Sequence, residues 1–499
     1  QSVSVNIFSA DNRDKSLNKI WKYRFVSSLF SLISSIALFL IGLKIFKKKS
    51  AFLGAITLQC TLLFIIESHI AKTDAVLLTF SIISMILLCG YYNGILKKKY
   101  DFYFIIFWSS LGLSVLIKGP ILLLIVLITT FFIILIKKQW QWVLKTNPLI
   151  GIIIVSLIII PWILSTPDSE QFNFINEGLK KDFFAKLVSV QEQHGAFFGA
   201  HSVAILILFF PMSIFLLPSI TLAIKSIKFN NNFFLIAWIV PNLIVLELIP
   251  TKLPHYTLPI YPALSLLVGD FIVNKGNLTL GNFKISKILN NLFYLILILL
   301  ISSAVFICFK NYSSFFSFGS YITILIFSVF FSSILLSFYF NISKIFYYQI
   351  LVAGFTSIMI FCYVLPRFDK LWISNNIGNI ILNDNPSFNS DDIATIGYNE
   401  PSLIFTLGTS TKVLNSLSEI ENKISSIIDE NSENSDTELS ITEMSLENNE
   451  LGNKKKNFSD KYINHLEIEI ETQKQKIKKL EEEINSSEIF FGDYSVEKL

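Results

Sequence analysis

The chain has 499 residues, of which 52% are hydrophobic and only 16% are charged, and its formal net charge is +4 at pH 7. Because soluble domains carry about 25% charged residues, this composition excludes an ordinary soluble globular protein. The small net charge does not indicate a nucleic-acid partner. The four cysteines all lie in apolar runs, so they indicate neither a metal site nor a disulfide framework.

Twelve apolar segments of about the length that crosses a bilayer as a helix follow one another along the chain. They cover residues 21–46, 51–66, 74–90, 102–117, 119–136, 149–164, 202–224, 232–249, 257–273, 288–309, 316–340 and 343–365. This pattern predicts an all-α polytopic membrane protein whose transmembrane domain extends over residues 1–366.

Lysines are distributed unequally between the connections of these segments. The connections after odd-numbered segments, together with Lys44, carry 16 lysines, whereas those after even-numbered segments carry 7. Since cytoplasmic loops are enriched in lysine and arginine, the odd-numbered side is predicted to be cytoplasmic. Residues 1–20, the loop 165–201 and everything after 366 are then predicted to lie outside.

The same assignment collects ionisable residues of unlike charge on the outer side. They are His69, His194, His201, His255, Glu67, Asp74, Glu192, Glu247, Lys72, Lys118 and Lys252. Ionisable groups close to the membrane interior are costly and are usually functional. The pattern therefore predicts a polar site that faces outward, in contact with membrane lipids.

Two short connections suit the binding of an anionic phosphate. In E-S-H-I-A-K-T-D, over Glu67–Asp74, a lysine lies beside acids, although the loop could equally be an anchor with a helix cap at Thr73 or Asp74. Lys118 stands alone between two spans, where a phosphate would meet both its charge and the start of the next helix. Snorkelling of the lysine to the surface is the alternative for Lys118.

Two further outer stretches combine histidines with acids. Q-E-Q-H-G-A-F-F-G-A-H, over Gln191–His201, fits substrate or metal binding, but its spacing matches no helical zinc motif. E-L-I-P-T-K-L-P-H-Y-T-L-P-I-Y-P-A-L, over Glu247–Leu264, places charged residues among prolines between two spans. It is interpreted as a break that lines a water-filled site, with an ordinary interhelical loop as the alternative.

The composition changes after Arg367. A small α/β domain is predicted over 367–416, where residues 392–408 are interpreted as two short strands around a turn at 399–401. An acidic stretch rich in serine and asparagine predicts a disordered linker over 417–458. Apolar residues at heptad-like spacing then predict an amphipathic or coiled-coil helix within the tail 459–499.

The order of these motifs resembles a known family. L-G-L-S-V-L-I-K-G-P, a span ending in P-W, Q-E-Q-H-G, F-F-P-M-S and P-T-K-L-P-H-Y-T-L-P-I-Y-P-A-L follow one another as in bacterial inner-membrane C-type glycosyltransferases, namely the aminoarabinose transferase and the protein mannosyltransferase-like enzymes. The resemblance covers about residues 1–410. It implies transfer of a sugar from a polyprenyl-phosphate carrier to a lipid A-like or protein acceptor at the periplasmic face.

This chemistry assigns roles to the outer residues. The lysines would stabilise the phosphate leaving group, and a carboxylate or histidine would activate the acceptor oxygen. Asp74 and Glu192 are predicted catalytic groups, Asp74 as an organiser of the site. The predicted substrate-binding residues are Lys72, Lys118, His194, His201, Lys252, His255 and Tyr256. A divalent metal ion, held by Glu192 and His194, is an open alternative.

The resemblance also implies a departure at the start of the chain. The family's first span and first outer loop, which carries an acidic pair, are expected upstream of Gln1, so that thirteen spans are expected in an intact member. An N-terminally truncated chain would lack the usual base. Two other functions stay open: an inactive remnant that serves as a scaffold, and a membrane transporter or flippase.

Overall fold

The computed structural model describes residues 20–96, 102–165, 196–278, 284–384, 393–396, 400–408 and 411–414. Contacts between residues divide the chain into two compact units, Gln1–Asp384 and Asn385–Leu499. The predicted disordered linker 417–458 and the predicted amphipathic helix in 459–499 lie outside the described residues.

The first unit is built from helices. The first six segments form α1 (Trp21–Gly42), α2 (Lys48–Gln59) followed by α3 (Leu62–His69), α4 (Asp74–Tyr92), α5 (Phe102–Lys118), α6 (Ile121–Lys137) and, after the short α7 (Gln141–Leu144), α8 (Pro148–Ser165). The next six form α9 (Ala200–Leu208) followed by a 3-10 turn (Met212–Phe215) and α10 (Leu216–Lys225), α11 (Asn230–Leu248), a 3-10 helix (Pro254–Ile260) followed by α12 (Tyr261–Lys275), α13 (Lys284–Tyr312), α14 (Phe316–Tyr339) and α15 (Ile342–Ile358). Every predicted apolar segment thus contains helix.

The predicted all-α membrane architecture is confirmed, but not all of these segments are straight helices of full spanning length. Among the described residues, eight helices are long and apolar enough to cross a membrane, or ten if two bent helix pairs each count as one span. The bent pairs are α2 with α3, at 61°, and α9 with the helix Met212–Lys225, at 109°. The helices α5 and α6 are apolar but have only 17 residues each.

The two bends contact each other. Thr61 is extended at the start of α3, so the helix is interrupted there. The Leu62 backbone N–H donates to the Phe210 carbonyl at 2.9 Å, and Phe210 lies in the other break. Backbone groups at membrane depth must find partners inside the protein. Each break therefore supplies a partner that the other one needs.

Tight packing between α2 and α12 forms the centre of this unit. A side chain added at Gly269 would come within 2.6 Å of the Gly54 backbone nitrogen and would also collide with the Ser50 carbonyl. Small residues let membrane helices approach this closely. The close contact between α2 and α12 fixes the position of α12. It thereby also fixes the 3-10 helix that precedes α12 and carries His255 and Tyr256.

Beyond the last span, the 3-10 turns Leu365–Arg367 and Asp369–Leu371 lead to α16 (Ile373–Asp384). In the second unit, β1 (Ala394–Ile396) pairs in parallel with β2 (Lys412–Leu414), and α17 (Pro401–Leu407) lies between them in the sequence. The first predicted strand is confirmed. The second is wrong, because residues 401–407 form a helix, and Pro401 takes its first position, where proline needs no N–H donor.

Candidate functional site

An ion pair lies where the start of α4 meets the end of α5. The Lys118 Nζ atom is 2.5 Å from the Asp74 Oδ1 atom, and the two side chains are 24% and 7% exposed. Asp74 is the first residue of α4, where the helix dipole favours a negative charge. The preceding Thr73 forms no side-chain cap, so the acid is held mainly by the lysine.

A second acid lies beside this pair. Glu67, in α3, is 5% exposed, and its Oε2 atom has no hydrogen-bond partner among the described residues. Its carboxylate interacts electrostatically with Asp74, Lys72 and Lys118. The negative charges of two buried acids are thus balanced by the positive charges of two lysines. Removal of either lysine would leave excess negative charge.

The loop that carries Lys72 is fastened to α1. The Ser27 hydroxyl donates to the Lys72 carbonyl at 2.9 Å, and the Ser28 hydroxyl donates to the Ser68 carbonyl at 2.7 Å. The Lys72 side chain itself is exposed. The loop therefore has a fixed backbone and presents a lysine to the surroundings.

A second polar group forms where α11 ends and α9 begins. The Glu247 carboxylate accepts hydrogen bonds from the Gly199 N–H at 2.9 Å, the Ser202 N–H at 2.7 Å and the Ser202 hydroxyl at 2.8 Å. Gly199 has φ +100°, a value that favours glycine. Lys252 donates to the carbonyls of Leu246, at 3.1 Å, and Glu247, at 2.5 Å.

His201 lies inside this second group. Its imidazole is 1% exposed, and its Nδ1 atom is 3.9 Å from the Glu247 Oε2 atom. Neither ring nitrogen has a hydrogen-bond partner of normal geometry among the described residues, although the Leu246 and Leu253 backbones lie near the ring. A buried imidazole without a partner can bind a polar ligand.

Tyr256 connects the two groups. The Lys118 Nζ atom lies 6.0 Å from the centre of the Tyr256 ring, and the His201 ring stacks on Tyr256 with 6.5 Å between ring centres. The His255 ring meets Tyr256 edge to face at 4.9 Å. The ends of α5, α9 and α11 and the 3-10 helix thus bring charged and aromatic side chains to one end of the bundle.

Comparison with known proteins agrees with this architecture. Residues 16–164 match the model of a family described as dolichyl-phosphate-mannose-protein mannosyltransferase. ArnT from Cupriavidus metallidurans has a similar fold in crystal structures of its undecaprenyl phosphate complex and of its apo state, with TM-scores of 0.61 and 0.60. Each comparison has 14% sequence identity and covers 83% of this chain and 74% of ArnT. The first part of the chain thus matches this mannosyltransferase family, and the chain shares its fold with ArnT.

A sequence relative is also known. An uncharacterized protein from Aquifex aeolicus strain VF5 is 23% identical over 250 residues. The match covers 50% of this chain, and the chain spans about half (48%) of the length of that relative. With its apolar helices and its ArnT-like fold, the chain is a multi-pass membrane protein.

The structure brings six of the nine predicted site residues into the two polar groups. These are Asp74, Lys118, His201, Lys252, His255 and Tyr256. Lys72 interacts with the first group through Glu67. Glu192 and His194 lie outside the described residues, so their roles and the metal alternative stay predictions. Within the described part of the chain, no group of three or more His, Cys, Asp or Glu residues could hold a metal ion.

Among the described residues, three buried lysine or glutamate residues received no role from the sequence. Glu67 and Glu247 are 5% and 6% exposed, and both stand at the ends of apolar segments, which is the signal that could have singled them out. Lys22 is 2% exposed in the first turn of α1, on the helix that fastens the Lys72 loop. A single lysine at the start of an apolar segment gives no sign that it is buried.

Proposed function

We propose that the protein transfers a sugar from a polyprenyl-phosphate carrier to a lipid or protein acceptor at the periplasmic face of a bacterial inner membrane. The observation that carries the proposal is the Lys118–Asp74 ion pair beside Tyr256, set at the ends of membrane helices. A partly exposed ammonium next to an aromatic ring suits a phosphate whose attached sugar lies against the ring.

The proposed reaction breaks the bond between the anomeric carbon and the phosphate oxygen of the carrier. Negative charge develops on the departing phosphate, and Lys118 and Lys72 stabilise it. The acceptor oxygen forms the new bond to the anomeric carbon and loses its proton to a base, as in other glycosyl transfers with an oxocarbenium-like transition state. Asp74 holds Lys118 in place, and Glu192 is the proposed proton acceptor.

The second polar group is assigned to the sugar and the acceptor. Tyr256, His255 and His201 form an aromatic wall, and the unpartnered ring nitrogens of His201 can bind a hydroxyl group. Lys252 stays a proposed phosphate ligand. Its ammonium bonds to backbone carbonyls at the end of α11, so it would have to exchange those bonds for bonds to phosphate.

The comparisons support a lipid-linked donor. ArnT, which has a similar fold, was crystallised with undecaprenyl phosphate, and the matching family is described by its dolichyl-phosphate-mannose donor. The family description names a protein acceptor, whereas the resemblance to the aminoarabinose transferase implies a lipid A-like acceptor, so the acceptor is the open part of the proposal.

A direct assay tests this function. Membranes that contain the full-length protein are supplied with a radiolabelled polyprenyl-phosphate sugar, and label is followed into lipid and protein fractions. Transfer is expected for the wild type, with a loss of about 100-fold in Lys118→Met. The matched control is Lys310→Met, a lysine in the last turn of α13 that takes part in none of the interactions described above. Full transfer by Lys118→Met would refute the assignment of Lys118 as a ligand of the donor phosphate.

A further inference from the structure

Glu247 connects two helices at the proposed site through its carboxylate. Oε2 accepts from Gly199 at 2.9 Å, and Oε1 accepts from the backbone and the hydroxyl of Ser202 at 2.7 Å and 2.8 Å. These donors belong to the first turn of α9, where N–H groups have no partners inside the helix. A residue at the end of α11 therefore caps a helix whose N-cap residue, Gly199, lies 48 residues earlier in the chain.

The stretch Glu247–Lys252 also closes the end of α11 itself. The Lys252 ammonium bonds to the carbonyls of Leu246 and Glu247, which are left without helical partners at the end of α11. It also lies 3.6 Å from the Glu247 Oε2 atom. The start of α9, the end of α11 and the stretch that carries Tyr256 are thus joined by one carboxylate and one ammonium.

His201 depends on this junction for its position. It is the second residue of α9, and it lies between Gly199 and Ser202, the two residues that donate to Glu247. The imidazole is 1% exposed and has no hydrogen bond of normal geometry among the described residues, although the backbones of Leu246 and Leu253 lie near it. Because the ring has no strong side-chain partner, its orientation toward Tyr256 depends on the position of the first turn of α9.

We propose that Glu247 is a positioning residue, which fixes the first turn of α9 so that His201 stays against Tyr256 in the substrate site. The role of His201 in binding sugar or acceptor rests on the proposed function, whereas the positioning itself does not. Glutamine in place of Glu247 keeps the size of the side chain but offers only one acceptor oxygen, so at least one of the α9 donors loses its partner.

Two measurements on the full-length protein in detergent test the proposal. Diethyl pyrocarbonate modification, read at each histidine by mass spectrometry, reports the position of His201, with the exposed His69 as internal reference. In the wild type His201 is protected, and in Glu247→Gln its labelling relative to His69 is expected to rise about tenfold. Sugar transfer by the folded variant is expected to fall about 10- to 100-fold, mainly in kcat. Ser202→Ala, which removes one of the three donors, is expected to show a smaller change in both.

The outcomes are separable. Unchanged protection of His201 in Glu247→Gln overturns the positioning role, whatever happens to activity. If Glu247→Gln does not fold, the test rests on Ser202→Ala. Equal protection of His201 in Ser202→Ala and in the wild type then overturns the positioning role. Increased labelling with unchanged kcat would refute the link from Glu247 to the reaction. A wild type that transfers no sugar from the polyprenyl-phosphate donor refutes the proposed function, while the labelling still decides whether Glu247 positions His201.

Discussion

Replacement of Lys118 and replacement of Asp74, the two partners of one ion pair, are expected to lower the stability of the protein by different amounts. In Lys118→Met, the Asp74 carboxylate keeps its charge, is only 7% exposed, and stands next to Glu67, another buried acid. In Asp74→Asn, the ammonium that loses its partner is 24% exposed and can reach water. Removal of the lysine should therefore destabilise the protein more than removal of the acid.

The magnitudes follow from the burial of each partner. Loss of one partner of a fully buried ion pair costs about 3–5 kcal/mol, and the partial exposure of Lys118 lowers this to about 3 kcal/mol for Lys118→Met. Asp74→Asn loses a charged hydrogen bond and a favourable position at the start of a helix, but keeps a solvated ammonium, so we expect about 1.5 kcal/mol. The double variant leaves no unpaired charge and should cost about 2 kcal/mol, well below the sum of the single changes.

Chemical unfolding of the purified protein in detergent measures all three variants, and the sugar-transfer assay is run on the same preparations. The double variant is expected to recover stability without recovering activity, because the phosphate ligand is still absent. Equal stability losses in the two single variants, or additive losses in the double variant, would refute the argument from burial. Recovery of activity in the double variant would show that Lys118 serves only to neutralise Asp74.

Three further predictions concern the described structure. Lys72→Ala is expected to change the free energy of unfolding by less than about 0.5 kcal/mol, because the side chain is exposed. The same variant is expected to raise the KM for the lipid-linked donor, and an unchanged KM would show that Lys72 does not bind the donor. Gly269→Ala is expected to cost about 1–3 kcal/mol because the new side chain meets the backbone of α2, whereas Gly354→Ala, which meets nothing within 4 Å, should be neutral or stabilising; equal unfolding midpoints for the two variants would contradict the packing argument. The hydrogen bond from the Ser314 hydroxyl holds the pKa of the Asp369 carboxyl below its usual value, so the stabilisation present at neutral pH should be lost as the pH falls through the lowered pKa. In Ser314→Ala, which keeps only the bond from the backbone N–H, this part of the acid dependence of unfolding should be smaller, and an unchanged acid dependence would contradict the role of the hydroxyl.

The helices of the first unit could be predicted because their signal is local. Each apolar segment reports its own length and hydrophobicity, and all twelve segments contain helix. The bends could not be predicted in this way, because the break after Gln59 is completed by the Phe210 carbonyl, which lies far away in the sequence. The second predicted strand failed for a related reason, since β-branched and aromatic residues over 401–407 also fit a short helix that begins with Pro401.

The candidate site could be predicted only in part, because charge and burial are different properties. The accumulation of acids, histidines and lysines at one set of helix ends pointed to the end of the bundle where the two polar groups lie. It could not separate the exposed Lys72 from Lys252, whose side chain is 5% exposed and bonded to backbone carbonyls. It also gave no role to Glu247, because the groups that bind this acid are backbone N–H donors, which every sequence contains.

The stretch after α11 explains why one short break can serve both structure and function. Proline residues in Pro250–Pro254 end the helix without backbone donors of their own, so the carbonyls at the end of α11 need a side chain, and Lys252 supplies it. Glu247 does the opposite for the start of α9, because its carboxylate accepts hydrogen bonds from N–H groups that have no partner inside that helix. An acid and a lysine that satisfy the ends of two different helices neutralise each other at 3.6 Å, so their burial is tolerated. With both charges of this junction paired, Tyr256, against which the buried His201 packs, is the aromatic surface that we propose for the sugar.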